Sequence, residues 1–167
     1  MDFEDLRGNW DRLGARDPMW AVLTWEGRED GKWNADDFFR TGGQELANWG
    51  EVLATAGVSL SARRALDFGC GLGRIAEALC LHVDEYVGVD LAASMVAGAR
   101  RYNRLGARAN FEVNEREDLS RFCDASFELV HTCYVLQHMH PTYSERYLEE
   151  FARVLAPGGI LLAQVAT

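Results

Sequence analysis

The 167-residue chain has no Cys-x-x-Cys pair, no cluster of five to eight basic residues and no apolar run near the ~18 residues of a membrane span. Each absence excludes something. Cys70, Cys80, Cys123 and Cys133 stand apart, and spread thiols read as reduced and mostly buried, as in a cytoplasmic protein. The acidic start, Met1-Asp-Phe-Glu-Asp5, lacks the apolar core of a signal peptide. Positive charge is in short supply: 17 Lys and Arg face 26 Asp and Glu, for a net charge of −9. Such a surface repels phosphate backbones over the screening length, so neither nucleic acid nor membrane is an expected partner. What remains is a soluble domain, with the ordinary hydrophobic share of 48%.

Two regimes divide the chain. Residues 1–60 hold all five tryptophans, at positions 10, 20, 25, 33 and 49, and read as a helical cap or lid. Asp17-Pro18 predicts a helix through Trp25, opened by an N-cap and a first-turn proline. Asn34 before Ala-Asp-Asp predicts a short helix ending near Arg40, broken by Gly42-Gly43. Leu46, Trp49, Leu53 and Ala56 then recur at helical spacing and should face a core.

Residues 61–167 alternate strand and helix. Strands are expected at 65–68, 86–90, 109–113, 127–132 and 160–165, with helices at 74–81, 94–103 and from Pro141. In the last helix, Tyr147, Leu148, Phe151, Val154 and Leu155 form one apolar face, stopped by Pro157-Gly158-Gly159. The pattern predicts an α/β fold: a Rossmann-like, doubly wound parallel sheet of order 3-2-1-4-5, forming one compact unit with its helical cap.

The first strand ends at Asp67, and glycines follow at alternate positions 69, 71 and 73. Glycine lets the backbone turn tightly and a ligand approach closely. The next helix offers free N–H groups at its start. Asp90, 21 positions after Gly69, ends the second strand, where its oxygens can accept from both hydroxyls of a ribose. A nicotinamide fingerprint would place a small residue where Arg74 stands. The turn therefore suits a nucleoside with an amino-acid tail better than a dinucleotide.

The stretches Ala65-Leu-Asp-Phe-Gly-Cys-Gly-Leu-Gly-Arg-Ile75, Val87-Gly-Val-Asp-Leu91, Ser126-Phe-Glu-Leu-Val130, Val135-Leu-Gln-His138 and Arg153-Val-Leu-Ala-Pro-Gly-Gly159 resemble, in order and spacing, the class I S-adenosylmethionine-dependent methyltransferases of bacterial small-molecule type. The resemblance implies S-adenosylmethionine as cofactor and in-line transfer of its methyl group to a small-molecule acceptor. It implies that Gly69, Cys70, Gly71 and Gly73 line the methionine part, that Asp90 binds the ribose and that Leu91 packs near the adenine. Cys133, just after the fourth strand, joins the cofactor-binding set. Glu115-Arg116 occupy the positions where the family often places an adenine-binding Asp and a small residue. The family's frequent Ser-Pro cap after the ribose acid is replaced by Ala92-Ala93.

Several residues keep two readings. Asp67 either bonds the loop amides or contacts the cofactor amine. Arg40, beside Phe38-Phe39, either pairs with the cofactor carboxylate or is a solvated surface arginine. The tryptophans are packing residues by default, with a lid role as the alternative reading. His138 and Tyr134, at the end of the fourth strand, are candidates for a general base if the acceptor must lose a proton. His138 and His140 at i,i+2 lack the further ligands that a metal site needs. No Asp/Asn-Pro-Pro-Tyr/Phe run or Pro-Cys dipeptide of DNA methyltransferase families occurs, which favours a small acceptor.

Two other functions stay open. One is a cofactor-binding module that does no chemistry alone, or a fragment that needs a partner. The other, disfavoured by Arg74, is a nicotinamide-dependent oxidoreductase. The resembling fold continues past its fifth strand with two more, whereas this sequence stops at Thr167. The fifth strand is thus expected to leave an apolar edge open to a second copy or a partner chain.

Overall fold

The structure, a computed structural model, describes residues 2–165. Thr167, where the open-edge expectation rests, lies outside the described residues. The element order is α1 (Phe3–Arg16), α2 (Pro18–Val22), α3 (Ala35–Thr55), β1 (Ala62–Phe68), α4 (Ala76–Leu79), β2 (Val83–Asp90), α5 (Ala93–Tyr102), β3 (Ala109–Val113), β4 (Phe127–Thr132), α6 (Pro141–Val154) and β5 (Leu155–Ala163). The sheet has the order β3-β2-β1-β4-β5, and every pair is parallel. This is the doubly wound architecture expected from the alternation of elements.

The core is split by the sheet. One face meets α3, α4 and α5 through Leu46, Leu53, Leu79, Val96 and Ala99. The other meets α6 and the start of α1 through Tyr147, Phe151, Val154, Phe3 and Leu6. A third cluster seats α2 and the start of α3 beside the glycine turn, through Met19, Trp33, Phe38, Leu72 and Met95. The chain order reverses between β1 and β4, so a crevice opens above the carboxyl ends of these strands.

Several boundaries differ from expectation. Gly42-Gly43 do not break a helix: α3 runs through them, its start capped by the Asn34 side chain on Asp37 N–H at 3.1 Å. A Cβ on Gly42 would stand 2.1 Å from the carbonyl oxygen of Arg74, so this glycine serves close packing. Pro157-Gly158-Gly159 do not precede β5 but lie within it: α6 stops at Val154, and the pairing shifts register between Phe127 and Leu129 of β4. The helix expected over 74–81 is a turn followed by the four-residue α4. Of the expected apolar positions, Ala56 and Leu148 are exposed. α2 ends at Val22 rather than Trp25.

Candidate active site

The glycine turn forms the floor of the crevice. The N–H groups of Gly69 and Cys70 both donate to the carbonyl of Val89, at 2.8 and 3.0 Å, and pin the turn to β2. Gly69, Gly71 and Gly73 have φ of 73°, 53° and 74°, left-handed values that side chains disfavour. A Cβ on Gly69 would lie 2.2 Å from a methyl of Val135, so glycine is required twice over there.

Asp90 ends β2 and is half-buried. Its Oδ2 accepts from Gly71 N–H and its Oδ1 from Ala92 N–H, both at 2.9 Å. A carboxylate oxygen has two lone pairs, so each keeps one for a ligand. Burial pushes this carboxyl up to about 6, against the pull of the backbone N–H groups of Ala92, Gly71 and Leu91.

The walls come from four segments. Leu91 and Met95 follow Asp90. Cys133, Tyr134, Val135 and His138 follow β4. Leu6 and Trp10 of α1, with Ala21 and Val22 of α2, close the cleft from above. The cleft encloses about 580 Å³, counting open solvent at its mouth. Trp10 meets the His138 ring edge-on at 5.2 Å. Tyr134 sits at φ 59°, a strained backbone position for a bulky residue, with its N–H held by Gln164 Oε1 at 3.2 Å. The same oxygen accepts from the Cys133 thiol at 2.9 Å.

α1 is fastened across the cleft. Ser94 N–H donates to Asp11 Oδ1 at 2.8 Å, and Ser94 Oγ donates to Asp11 O at 2.9 Å. These bonds hold the Asp11 carboxyl below its usual range. Ala92 has no side chain to cap α5, so Asp11 supplies that cap from a distant segment. Arg7 pairs with Glu115 beyond β3 at 2.9 Å.

Beneath the turn lies a buried polar cluster. Both Asp67 oxygens are occupied: Tyr86 OH donates to one at 2.5 Å, and His131 Nδ1 stands 2.7 Å from the other. The Nε2 of His131 is 3.4 Å from Glu45 Oε1, and Arg74 pairs with the other Glu45 oxygen at 2.5 Å. Burial opposes the charge on Glu45, yet His131 and Arg74 outweigh it and hold that carboxyl at about 2.

With the geometry established, comparison with known proteins places the chain. A family model described as a methyltransferase domain matches residues 65–159, more than half of the sequence. The chain belongs to this methyltransferase domain family. It is 40% identical over 108 residues to phthiotriol/phenolphthiotriol dimycocerosates methyltransferase 1 of Mycobacterium ulcerans, covering 63% of this chain and 38% of that one. It is 30% identical over 105 residues to a ubiquinone biosynthesis O-methyltransferase of Xylella fastidiosa, covering 62% and 42%. Among solved structures, the N-methyltransferase NodS of Bradyrhizobium japonicum, in complex with S-adenosyl-L-homocysteine, superposes with a TM-score of 0.66 at 19% identity, covering 93% of this chain and 70% of that one. At that identity the likeness is one of fold. The chain spans about two fifths of the length of the curated relatives it matches.

The methyltransferase domain brings Gly69, Gly71, Asp90, Leu91, Cys133, Tyr134 and His138 together around one cleft. Other expected positions lie elsewhere. Cys70 is buried against Gly88 of β2, and its thiol is pushed well up by burial and then by Asp90 and Asp67. Gly73 packs on Phe111. The Asp67 oxygens meet Tyr86 and His131 below the turn, while the N–H groups of Gly69, Cys70 and Gly71 go to Val89 and Asp90. Arg40 is exposed and pairs with Asp37 on the outer side of α3, away from the cleft, because it follows Asp37 by one helical turn. Glu115 points outward to Arg7, and Arg116 reaches Ser120. Neither lines the cleft, since the chain leaves β3 on its outer side. His140 caps α6 by accepting from Thr142 N–H, apart from His138.

Trp10, Glu45 and His131 carry weight in the site that their sequence positions did not suggest. A signal existed for two of them. His131 interrupts an apolar strand, and Glu45 sits beside Leu46 on the buried stripe of α3. A buried polar group in either place demands a partner.

Proposed function

We propose that this domain binds S-adenosylmethionine in the cleft and transfers its methyl group to a small-molecule acceptor. The observation that carries the reading is Asp90: a half-buried carboxylate at the carboxyl end of β2, braced by Gly71 and Ala92, with a lone pair free on each oxygen. Such a group fits two vicinal hydroxyls. The residues present also fit the rest of the cofactor. Leu91 and Met95 give an apolar wall for a base, and the backbone of Gly69 and Gly71 is open to a polar tail. The homologous methyltransferases and the S-adenosylhomocysteine complex of NodS support the same cofactor.

When bound, the cofactor supplies an activated methyl on a positive sulfonium, which carries the hard part of the chemistry. The protein's share is alignment and exclusion of water, worth ~7–11 kcal/mol in favourable systems. Trp10, Leu6 and Val22 cover the cleft and serve that exclusion. The two base candidates differ. Burial lowers His138, so its imidazole is neutral at pH 7 and free to take a proton. Burial raises Tyr134, so its phenol keeps its proton and acts as a donor. His138 is therefore the base where the acceptor needs one. Residues 1–60 act as the lid.

Replacing Asp90 with Ala should weaken cofactor binding roughly 10–100-fold through the lost ribose bonds. Titration calorimetry with S-adenosylmethionine and NADH checks this. Micromolar NADH binding without S-adenosylmethionine binding would refute the cofactor assignment. A cofactor-binding chain with no transfer to any acceptor would support the module reading. Among the described residues β5 pairs with β4 alone, and Leu161 of the strand and Val165 just after it are exposed. This supports a second copy or a partner at that edge. Light scattering reads it, and a monomer at high concentration would exclude pairing between copies.

A further inference from the structure

His131 touches nothing in the cleft, yet it is 3% exposed between two carboxylates. Asp67 and His131 are register partners on adjacent strands, so their side chains leave the same face of the sheet. Glu45 reaches the other ring nitrogen from α3 at 3.4 Å, an ion-pair distance too long for a good hydrogen bond. A neutral imidazole has one N–H; it would serve one acid and turn a lone pair on the other. An imidazolium serves both. With His131 charged, Asp67 and Glu45 face His131 and Arg74, and the buried cluster is neutral as a whole. Without it, one negative charge would be buried unpaired, which is costly.

The cluster also has an outlet to the cleft. Arg74 lies over the Tyr134 ring at 5.9 Å, and Glu45 faces the Cys133 thiol. Tyr134 and Cys133 both line the cleft. Asp67 stands two residues before Gly69.

We propose that His131 is a positioning residue for the cofactor cleft: a buried cation that ties the glycine turn through Asp67, α3 through Glu45 and the Cys133–Tyr134 wall into one arrangement. The proposal rests on the cleft being the S-adenosylmethionine site. The groups facing His131 are Asp67 from β1 and Glu45 from α3. Arg74 of the turn, Tyr86 of β2 and Cys133 after β4 stand next to these acids, with Cys70 and Asp90 beyond Asp67. Burial pulls the imidazole down, and the two acids outweigh it and push it up to about 9. Its stabilisation is full below about 6.5 and is lost as pH rises through about 9.

The test uses the whole chain, its His131→Gln variant and its Glu45→Gln variant. S-adenosylhomocysteine affinity is measured from pH 6.5 to 9.5, with thermal denaturation at each pH. Wild type should lose affinity over the alkaline limb. His131→Gln should bind about 3–30-fold more weakly at pH 7, with a flat profile, in the range of coupling through packed networks. Glu45→Gln should move the limb to lower pH, because one of the two acids is gone. Nitrogen NMR of the wild-type ring should find both nitrogens protonated at pH 7. A folded His131→Gln protein with wild-type affinity and pH profile overturns the proposal, as does a neutral ring at pH 7. If His131→Gln does not fold, Glu45→Gln and the ring signals decide. If wild type binds no S-adenosylhomocysteine, the cofactor reading fails, and the ring signals still judge His131.

Discussion

Gly42 and Gly43 are adjacent in one helix, and replacing each with Ala should change stability in opposite directions. Alanine in a helix interior is favoured over glycine by ~0.8–1.0 kcal/mol. Gly43 is exposed, and nothing lies within 4 Å of its would-be Cβ. Gly43→Ala should therefore realise that gain and raise Tm by about 2–4 °C for a chain of this length. Gly42 has the same propensity but no room. Its Cβ would stand 2.1 Å from Arg74 O, 2.7 Å from Arg74 C and 3.1 Å from Ile75 Cα, all of them backbone. No rotamer change relieves such a contact, so α3 must move off the turn by more than 1 Å. Overpacking of this kind costs about 1–3 kcal/mol or more. The displacement also strains the Glu45–Arg74 pair, which is formed between the same two segments. Gly42→Ala should lower Tm by several degrees and weaken cofactor binding, whereas Gly43→Ala should leave binding unchanged. Scanning calorimetry and titration of both proteins check this. Equal signs for the two substitutions would refute the claimed contact between α3 and the turn.

Asp11→Ala removes the cap that α1 gives to α5. It should cost about 0.5–2 kcal/mol by denaturant titration, and a null effect would mean that Ser94 finds another partner. Arg40→Ala should leave cofactor affinity within twofold of wild type, because Arg40 is 63% exposed and pairs with Asp37. A tenfold loss in calorimetry would return Arg40 to the cofactor carboxylate.

The sheet was legible because its strands carry strong apolar runs separated by clear turn signals, and four of them, expected at 65–68, 86–90, 109–113 and 127–132, end at the expected residue. The start of β2 lies three residues before the expected one because two of the three residues in Val83-Asp-Glu are charged. α1 was less legible. Gly8 and Gly14 lower its helical propensity, and the reason for Gly14 is tertiary: a Cβ there would meet Ser94 Oγ at 2.5 Å. With α1 undrawn, Trp10 could not be placed over His138, nor Asp11 at the head of α5. The cleft residues on strand ends were legible because a parallel sheet places all carboxyl ends on one side. Glu115 and Arg40 show where that logic stops. Their direction depends on the rotation of a loop and of a helix, and an available partner, Arg7 or Asp37, decides it.

Arg74 ties these strands together. In a dinucleotide turn the third small residue lets helix and strand approach closely. Here an arginine holds that position, and the approach is made by a neighbouring helix, with Gly42 of α3 as the small residue. The side chain freed by that exchange reaches Glu45 and Thr41 on the same helix. Glu45 in turn meets His131, whose other nitrogen meets Asp67 below the glycine turn. A departure from the nicotinamide fingerprint and a buried charge cluster are thus one feature. An arginine in the turn needs an acid, the acid needs a helix close enough to deliver it, and the helix needs a glycine where it crosses the turn.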